Sequence, residues 1–294
     1  MPLSTTGELV AEAAARRGAV AAFNVITLEH IEAVVAAAEA TGEPVILQVS
    51  ENAVKFHGGR PHPIAAAAVS AARRSGARVA LHLDHVKSEA LLREAADCGF
   101  SSAMFDAAHL SYGENVAATR RAADWAHANG LWLEAELGEV GGKDGTGPLS
   151  AHAPGARTDP DEARRFVAET GIDALAVAVG SSHAMTTRDA TIDHTLLAAL
   201  HHALDLPLVL HGSSGVSDPE LQRAIRVGIS KVNIGTALSI AMTGAIRSHL
   251  HGDPNGVDPR HYLAAGREAV TDTTAQLLTT VGAADRGGVP VSSG

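Results

Sequence analysis

One pattern recurs along the chain: a short apolar, β-branched run, a polar or glycine-rich joint, then an Ala- and Leu-rich stretch with apolar positions at helical spacing. Eight such runs occur: Ala19–Val25, Pro44–Ser50, Arg78–His85, Ser101–Ala107, Leu131–Gly138, Ala174–Gly180, Leu206–Gly212 and Ile229–Thr236. The helical stretches that follow them are Leu28–Thr41, Pro63–Ser75, Ser88–Cys98, Asn115–Asn129, Pro160–Thr170, His194–Leu204, Asp218–Val227 and Ala237–Leu250. Strands that alternate with helices predict parallel βαβ units. Runs such as PVILQVS, ALAVAVG and LPLVLHG are almost wholly apolar, as strands covered on both faces are. Eight units without a splitting linker predict one α/β domain, a closed (β/α)8 TIM barrel over residues 1–284, followed by a loose tail at 285–294. An open doubly wound sheet is the alternative for the same pattern. The longest segment without periodicity, Glu139–Asp159, is rich in Gly, Pro and Asp, and a loop of that length is expected to be functional.

The polar residues change the picture from architecture to chemistry. They recur at the C-terminal ends of the predicted strands: Asn24, Ser50, Asp84 with His85, Asp106, Glu136, His183 just past the sixth strand, His211, and Asn233. Buried polar groups cost free energy unless they pair or bind something, and this rim is where barrel active sites are built. Three of these residues are His85, His183 and His211. Neutral imidazole is a common zinc ligand, and three protein ligands with one open position is the usual catalytic arrangement. Most of the 16 histidines, such as His201, His202, His249 and His251, read as surface residues. Asp106 and Glu136 are candidates either for further metal ligands or for groups that orient the imidazole rings. The segments HGSSG (His211–Gly215) and NIGT (Asn233–Thr236) can turn backbone N–H groups toward an anion at a helix start, at the two strands where barrels often hold phosphate.

Charge and cysteine usage narrow the partners. The formal net charge of −10 is spread along the chain, which disfavours nucleic acid and leaves a small anionic substrate open. A single cysteine, Cys98, forbids an intramolecular disulfide and suits a reducing cytoplasm. Met1–Val20 is broken by Glu8, Glu12, Arg16 and Arg17, so no signal-peptide core is expected, and no run is apolar enough for a membrane span.

At these residues the sequence resembles the class II (zinc-dependent) fructose-bisphosphate and tagatose-bisphosphate aldolases, from about Leu3 to Val281. The motifs are AFNV, PVILQVSENA, HLDH, EAELGEVGG, LAVAVGSSH, LVLHGSSGV, KVNIGT and DPRHYL. The resemblance implies a homodimeric or homotetrameric lyase that binds Zn2+, with a monovalent cation as a further possible cofactor. Its substrate would be a ketose bisphosphate, fructose 1,6-bisphosphate first, cleaved to dihydroxyacetone phosphate and an aldehyde such as glyceraldehyde 3-phosphate. It implies His85, His183 and His211 as zinc ligands, Asp106 and Glu136 as a second or alternate metal site, and Asp84 as the acid/base on the C4 oxygen. Asn24 would lie at the carbonyl end, with Ser50, Ala184, Gly212, Ser213, Ser214, Asn233, Ile234, Gly235 and Thr236 around the ketose phosphate and Arg260 reaching a second phosphate. Such chemistry needs no lysine Schiff base, so Lys55 and Lys231 are not expected nucleophiles, and Lys231 is expected to be structural or weakly anion-directed.

Three departures bear on substrate choice. Where many members have glycine after the second zinc ligand, this chain has Ala184, and the lysine that usually follows is missing. After the fourth strand the chain reads Asp106, Ala107, Ala108, His109 in place of Asp-Gly-Ser-His. After the double glycine of the long loop stand Lys143 and Asp144, which makes Asp144 the candidate proton shuttle. Two other readings compete: a class II aldolase for another ketose phosphate, such as tagatose bisphosphate or an inositol-pathway sugar phosphate, and a catalytically quiet barrel that binds sugar phosphate. The acid beside His85 argues against the last, because binding alone does not require it.

Overall fold

Helix boundaries follow from capping chemistry. Helix α7 (Pro160–Thr170) starts with Asp159 accepting hydrogen bonds from the Asp161 and Glu162 amides and stops at Gly171, which takes φ 69°. Helix α8 (His194–Ala203) is capped by Asp193 on the Leu196 amide. Helix α2 (Leu28–Thr41) ends at Gly42, φ 72°. The computed structural model from which these features are read describes residues 3–138 and 157–285. Most of the loop 139–159, Asp144 included, and the tail from 286 onward lie outside the described residues.

The eight strands are β1 (Val20–Asn24), β2 (Val45–Ser50), β3 (Val79–Val86), β4 (Ser102–Phe105), β5 (Trp132–Leu137), β6 (Ala174–Val177), β7 (Leu208–Leu210) and β8 (Ile229–Ile234). Each pairs in parallel with the next and β8 closes on β1, so the sheet is a closed barrel rather than an open doubly wound one. The remaining helices are α1 (Thr6–Ala15), α3 (Glu51–Phe56), α4 (His62–Arg74), α5 (Glu89–Ala95), α6 (Tyr112–Ala128), α9 (Asp218–Val227), α10 (Thr236–Gly252) and α11 (Pro259–Asp285). Helices α1, α3 and α11 are additions to the eight expected repeats. None of the described helices is long and apolar enough to cross a membrane.

Two shells of apolar packing hold the barrel. Outward-facing strand residues such as Phe23, Leu47, Leu81, Leu133 and Leu175 pack under the helices in one large cluster. Inside the barrel floor, Val20, Ala22, Ile46 and Ala80 meet Leu9, Val10 and Ala13 of α1, which plugs that end, with Trp132 against them. Above this apolar floor the barrel interior turns polar: Gln48, His82, Ser102, Glu134 and Lys231 are all fully buried. Helix α11 runs along the outside, packed on α2, α9 and α10 and touching β1, with Val270, Thr274, Leu278 and Val281 on its buried face.

Candidate active site

The C-terminal rim of the barrel carries a cavity of about 270 Å³. Of the residues expected there, Asn24, Ser50, Asp84, His85, Asp106, His183, Ala184, Gly212, Ser214, Asn233, Gly235 and Thr236 line it. They come from the ends of β1, β2, β3 and β8 and from the segments just after β4, β6, β7 and β8, so closure of the sheet is what brings them together.

The three imidazoles meet at one point. Their candidate ligand atoms all lie within 4.8 Å of one another. Ring centroids are 4.9 Å apart for His85 and His211, 5.0 Å for His85 and His183, and 5.6 Å for His183 and His211, all edge to face. That spacing and donor set fit a divalent ion such as zinc. The outer nitrogens fix how two rings are turned. His85 Nδ1 donates to Asp106 Oδ2 at 3.0 Å, leaving Nε2 for the centre. His211 Nε2 lies 2.7 Å from Glu134 Oε1, and its Nδ1 is 3.2 Å from His85 Nε2. The Asn233 amide nitrogen is also 3.0 Å from His211 Nε2. One ring nitrogen cannot donate to the carboxylate and accept from the amide at once. The shorter, charge-assisted bond to Glu134 is the stronger of the two, so Nε2 carries the proton and Nδ1 faces the other histidines.

Asp84 and His85 are neighbours in sequence, and a regular strand would send them to opposite faces. Two steps along β4 (Ala103 to Phe105) match three along β3 (Leu83 to Val86), so β3 bulges here, and His85 adopts φ 50°. That left-handed residue turns the ring back to the rim. Asp84 is 2% exposed, and its Oδ2 accepts from Asn24 Nδ2 at 3.4 Å, while Oδ1 has no hydrogen-bond partner among the described residues.

Other expected residues sit differently. Asp106 meets the outer edge of His85 and is not one of the clustered ligand atoms. Glu136 is buried with Oε2 3.8 Å from His211 Nδ1 and does not line the cavity. Ser213 donates its hydroxyl to the Asn233 carbonyl, and the Ile234 side chain belongs to the outer apolar cluster, so neither side chain faces the cavity. Arg260 lies outside it, its side chain 86% exposed and forked onto Asp258. Gly212 holds φ 65°, and a Cβ there would meet the Ser182 backbone at 2.5 Å. Ala184 stands at φ 57°, so the position where the glycine of other sequences is expected keeps a glycine-like backbone. Ser214 accepts from the Ala237 amide in the first turn of α10.

Sequence reasoning missed several residues. Ser182, Asn52, Lys55, Lys87 and Gln48 also line the cavity, and Glu134 holds His211. Glu134 stands two before Glu136, and Gln48 two before Ser50, the spacing of residues on one strand face; that period was the available signal. Lys231, expected to be structural or weakly anion-directed, is fully buried, with Nζ 2.8 Å from Glu134 Oε2. His82, in the same layer, is held neutral, its pKa pushed well below 6.5 mainly by burial and next by the Lys231 charge.

The sequence profile of the family described as fructose-bisphosphate aldolase class-II matches residues 4–286. Among solved structures, the YdjI aldolase from Escherichia coli K12 is 31% identical over 95% of this chain and 97% of its own, with a TM-score of 0.81. A candidate fructose-1,6-bisphosphate aldolase from Coccidioides immitis is 27% identical over 96% and 97%, with a TM-score of 0.83. Fructose-bisphosphate aldolase from Campylobacter jejuni, 23% identical over 96% of both chains with a TM-score of 0.76, shares the fold.

Proposed function

The chain belongs to the class II fructose-bisphosphate aldolase family, and we propose that it is a zinc-dependent lyase that reversibly cleaves a ketose bisphosphate, first of all fructose 1,6-bisphosphate, to dihydroxyacetone phosphate and an aldehyde. The observation that carries this reading is the convergence of His85, His183 and the fully buried His211 at one point, where Asp84, His85 and His183 line the cavity. His85 through Nε2, His211 through Nδ1 and the His183 ring would hold the ion. The chemistry a zinc ion supplies there is Lewis acidity toward negative charge developing on the ketose oxygens.

The chain's own groups do the rest. Asp84, held through Oδ2 by Asn24, takes the proton from the C4 hydroxyl as the C3–C4 bond breaks and returns it in the condensation direction. Gly212, Ser214, Gly235 and Thr236 surround the phosphate of the dihydroxyacetone half at the N-terminus of α10, where the helix dipole and backbone amides favour an anion. Lys55 and Lys87 also face this cavity, which supports a second anionic group on the substrate. Arg260, exposed on the outside of this subunit, fits a role toward a neighbouring subunit of a homodimer or homotetramer. Asp144 remains the proposed shuttle for the carbon-bound proton of dihydroxyacetone phosphate.

The test is removal and return of the metal. Dialysis against a chelator should abolish cleavage of fructose 1,6-bisphosphate, and stoichiometric zinc should restore it. Full activity in metal-free protein would sink the reading. Restored activity toward another ketose phosphate, with none toward fructose 1,6-bisphosphate, would move the substrate and keep the chemistry.

A further inference from the structure

Below the rim, the interior of the barrel holds an ammonium with every donor assigned. Lys231 Nζ donates to Glu134 Oε2 at 2.8 Å, to Asn233 Oδ1 at 2.7 Å and to Gln48 Oε1 at 3.4 Å. An ammonium has three N–H groups and no acceptor, so these three bonds account for all of it. Lys231, Glu134 and Gln48 are 0% exposed, so water does not compete.

The direction of each bond propagates outward. Because the ammonium can only donate, Gln48 must present its oxygen to it and its amide nitrogen to the next residue, and Gln48 Nε2 donates to Asn24 Oδ1 at 3.1 Å. Asn24 must then present its own nitrogen, which donates to Asp84 Oδ2. On the other side, Glu134 spends one oxygen on the ammonium and the other on His211 Nε2. The ammonium's bond to Asn233 Oδ1 leaves the Asn233 amide nitrogen 3.0 Å from the same ring nitrogen, but the shorter, charge-assisted bond to the Glu134 carboxylate prevails, so Nε2 carries the ring proton and Nδ1 is the lone pair facing His85 and His183.

We propose that Lys231 is a positioning residue that sets the hydrogen-bond sense of the whole site: it anchors Glu134 against His211, whose zinc-binding tautomer that carboxylate fixes, and through Gln48 and Asn24 it orients Asp84. This rests on the zinc reading above. No part of it requires Lys231 to touch substrate, and its burial forbids that.

The proposal predicts an unusual order among three variants. In Glu134→Gln the ammonium takes the new amide's oxygen, so the amide nitrogen turns to His211 Nε2. A donor there favours the ring proton on Nδ1, the wrong tautomer for the ion. Zinc affinity should fall about 10- to 100-fold, the usual cost of losing an outer partner of a metal ligand. In the double variant Glu134→Gln, Lys231→Met the amide is released and can again turn its oxygen to Nε2. Removing the lysine should therefore recover most of the affinity that Glu134→Gln lost. If Lys231 merely fills the barrel, the second substitution can only add damage.

The experiment is zinc titration by chelator competition on full-length protein, with nitrogen NMR of the metal-free histidine rings, the His211 signal assigned by substitution. Expected are a single Nε2–H form in the unsubstituted protein, an Nδ1–H form in Glu134→Gln and a mixture in the double variant, with affinities in the order unsubstituted, double, single. A double variant that binds zinc no better than Glu134→Gln, or an Nε2–H ring retained in Glu134→Gln, overturns the proposal. If Glu134→Gln does not fold, the ring spectrum of the charge-free double variant decides: a ring held wholly as Nδ1–H there, with the amide nitrogen still facing it although the ammonium is gone, removes Lys231 from setting the sense of these bonds. If the unsubstituted protein binds no zinc, the metal reading falls and this inference falls with it; if it binds zinc and only the order fails, the metal reading stands.

Discussion

His85 directly follows Asp84, yet both reach the same cavity, because one extra residue in β3 and a φ of 50° at His85 turn the second side chain back toward the first. A non-glycine residue in the left-handed region costs roughly 1–3 kcal/mol and persists only where its surroundings over-determine it. Here the Asp106 carboxylate on Nδ1 is a fixed partner on the far side of the ring.

Asp84→Asn should keep the fold and the zinc stoichiometry while turnover drops by about 10² to 10⁴, the usual worth of a positioned acid/base group. Steady-state cleavage alongside zinc analysis by mass spectrometry checks it. Undiminished turnover in zinc-replete Asp84→Asn would take this residue out of the mechanism.

Asp106→Ala leaves His85 Nδ1 without the carboxylate that fixes its ring. Zinc affinity is expected to fall about 10- to 100-fold, read by competition with a chromogenic chelator, with melting of the metal-free form little changed. An affinity within twofold of the unsubstituted protein would show that the bulged backbone alone holds His85.

Gly212 and Ala184 make a matched pair of opposite sign. Gly212→Ala adds a Cβ 2.5 Å from the Ser182 carbonyl at φ 65°, so stability should drop by about 1–3 kcal/mol and KM for the ketose phosphate should rise. Ala184→Gly relieves a left-handed alanine at φ 57° and should gain up to about 1 kcal/mol. Urea midpoints measure both; a destabilised Ala184→Gly would mean that the methyl group packs usefully.

The buried, neutral His82 gives stability a pH dependence of known sign. Its folded pKa lies well below the unfolded value near 6.5, so in the window just below about pH 6.5 the unfolded chain binds the extra proton. Stability is then full above that pH and falls as the solution becomes more acid, by at most about 1.4 kcal/mol per pH unit for one proton. Urea unfolding of metal-free protein from pH 7.5 to 5.5, ranges chosen about the histidine pKa, should show a shallower slope for His82→Gln. Identical slopes would exclude His82 as a source of the dependence.

The strand runs were legible because a barrel strand is covered on both sides: PVILQVS contains all of β2, and Leu28–Thr41 coincides with α2. Where the runs were too long, at β6 and β7, the trailing residues Ala178–Gly180 and His211–Gly212 leave the sheet to build the rim. Helix α11 was missed because it follows no strand, although Val270, Thr274, Leu278 and Val281 recur at helical spacing. The rim histidines could be found one strand at a time. The pairing of Lys231 with Glu134 could not, because it joins residues 97 apart in sequence that meet only across a closed barrel. For Arg260 a motif match fixes the position in the chain, while the direction of the side chain, here exposed and forked onto Asp258, depends on the surface around it.

The seam between β1 and β8 has a consequence for synthesis on the ribosome. Asn24 emerges early, Asn233 and Gly235 late, and the cavity they share cannot exist until the last strand docks on the first. Helix α11 comes later still and lies over that seam, against α2 and β1. A nascent chain stopped before Pro259 therefore holds every cavity-lining residue but lacks the latch across the join. Such a truncated chain should open first between β1 and β8, letting water reach the interior ammonium and carboxylate that the finished enzyme keeps dry.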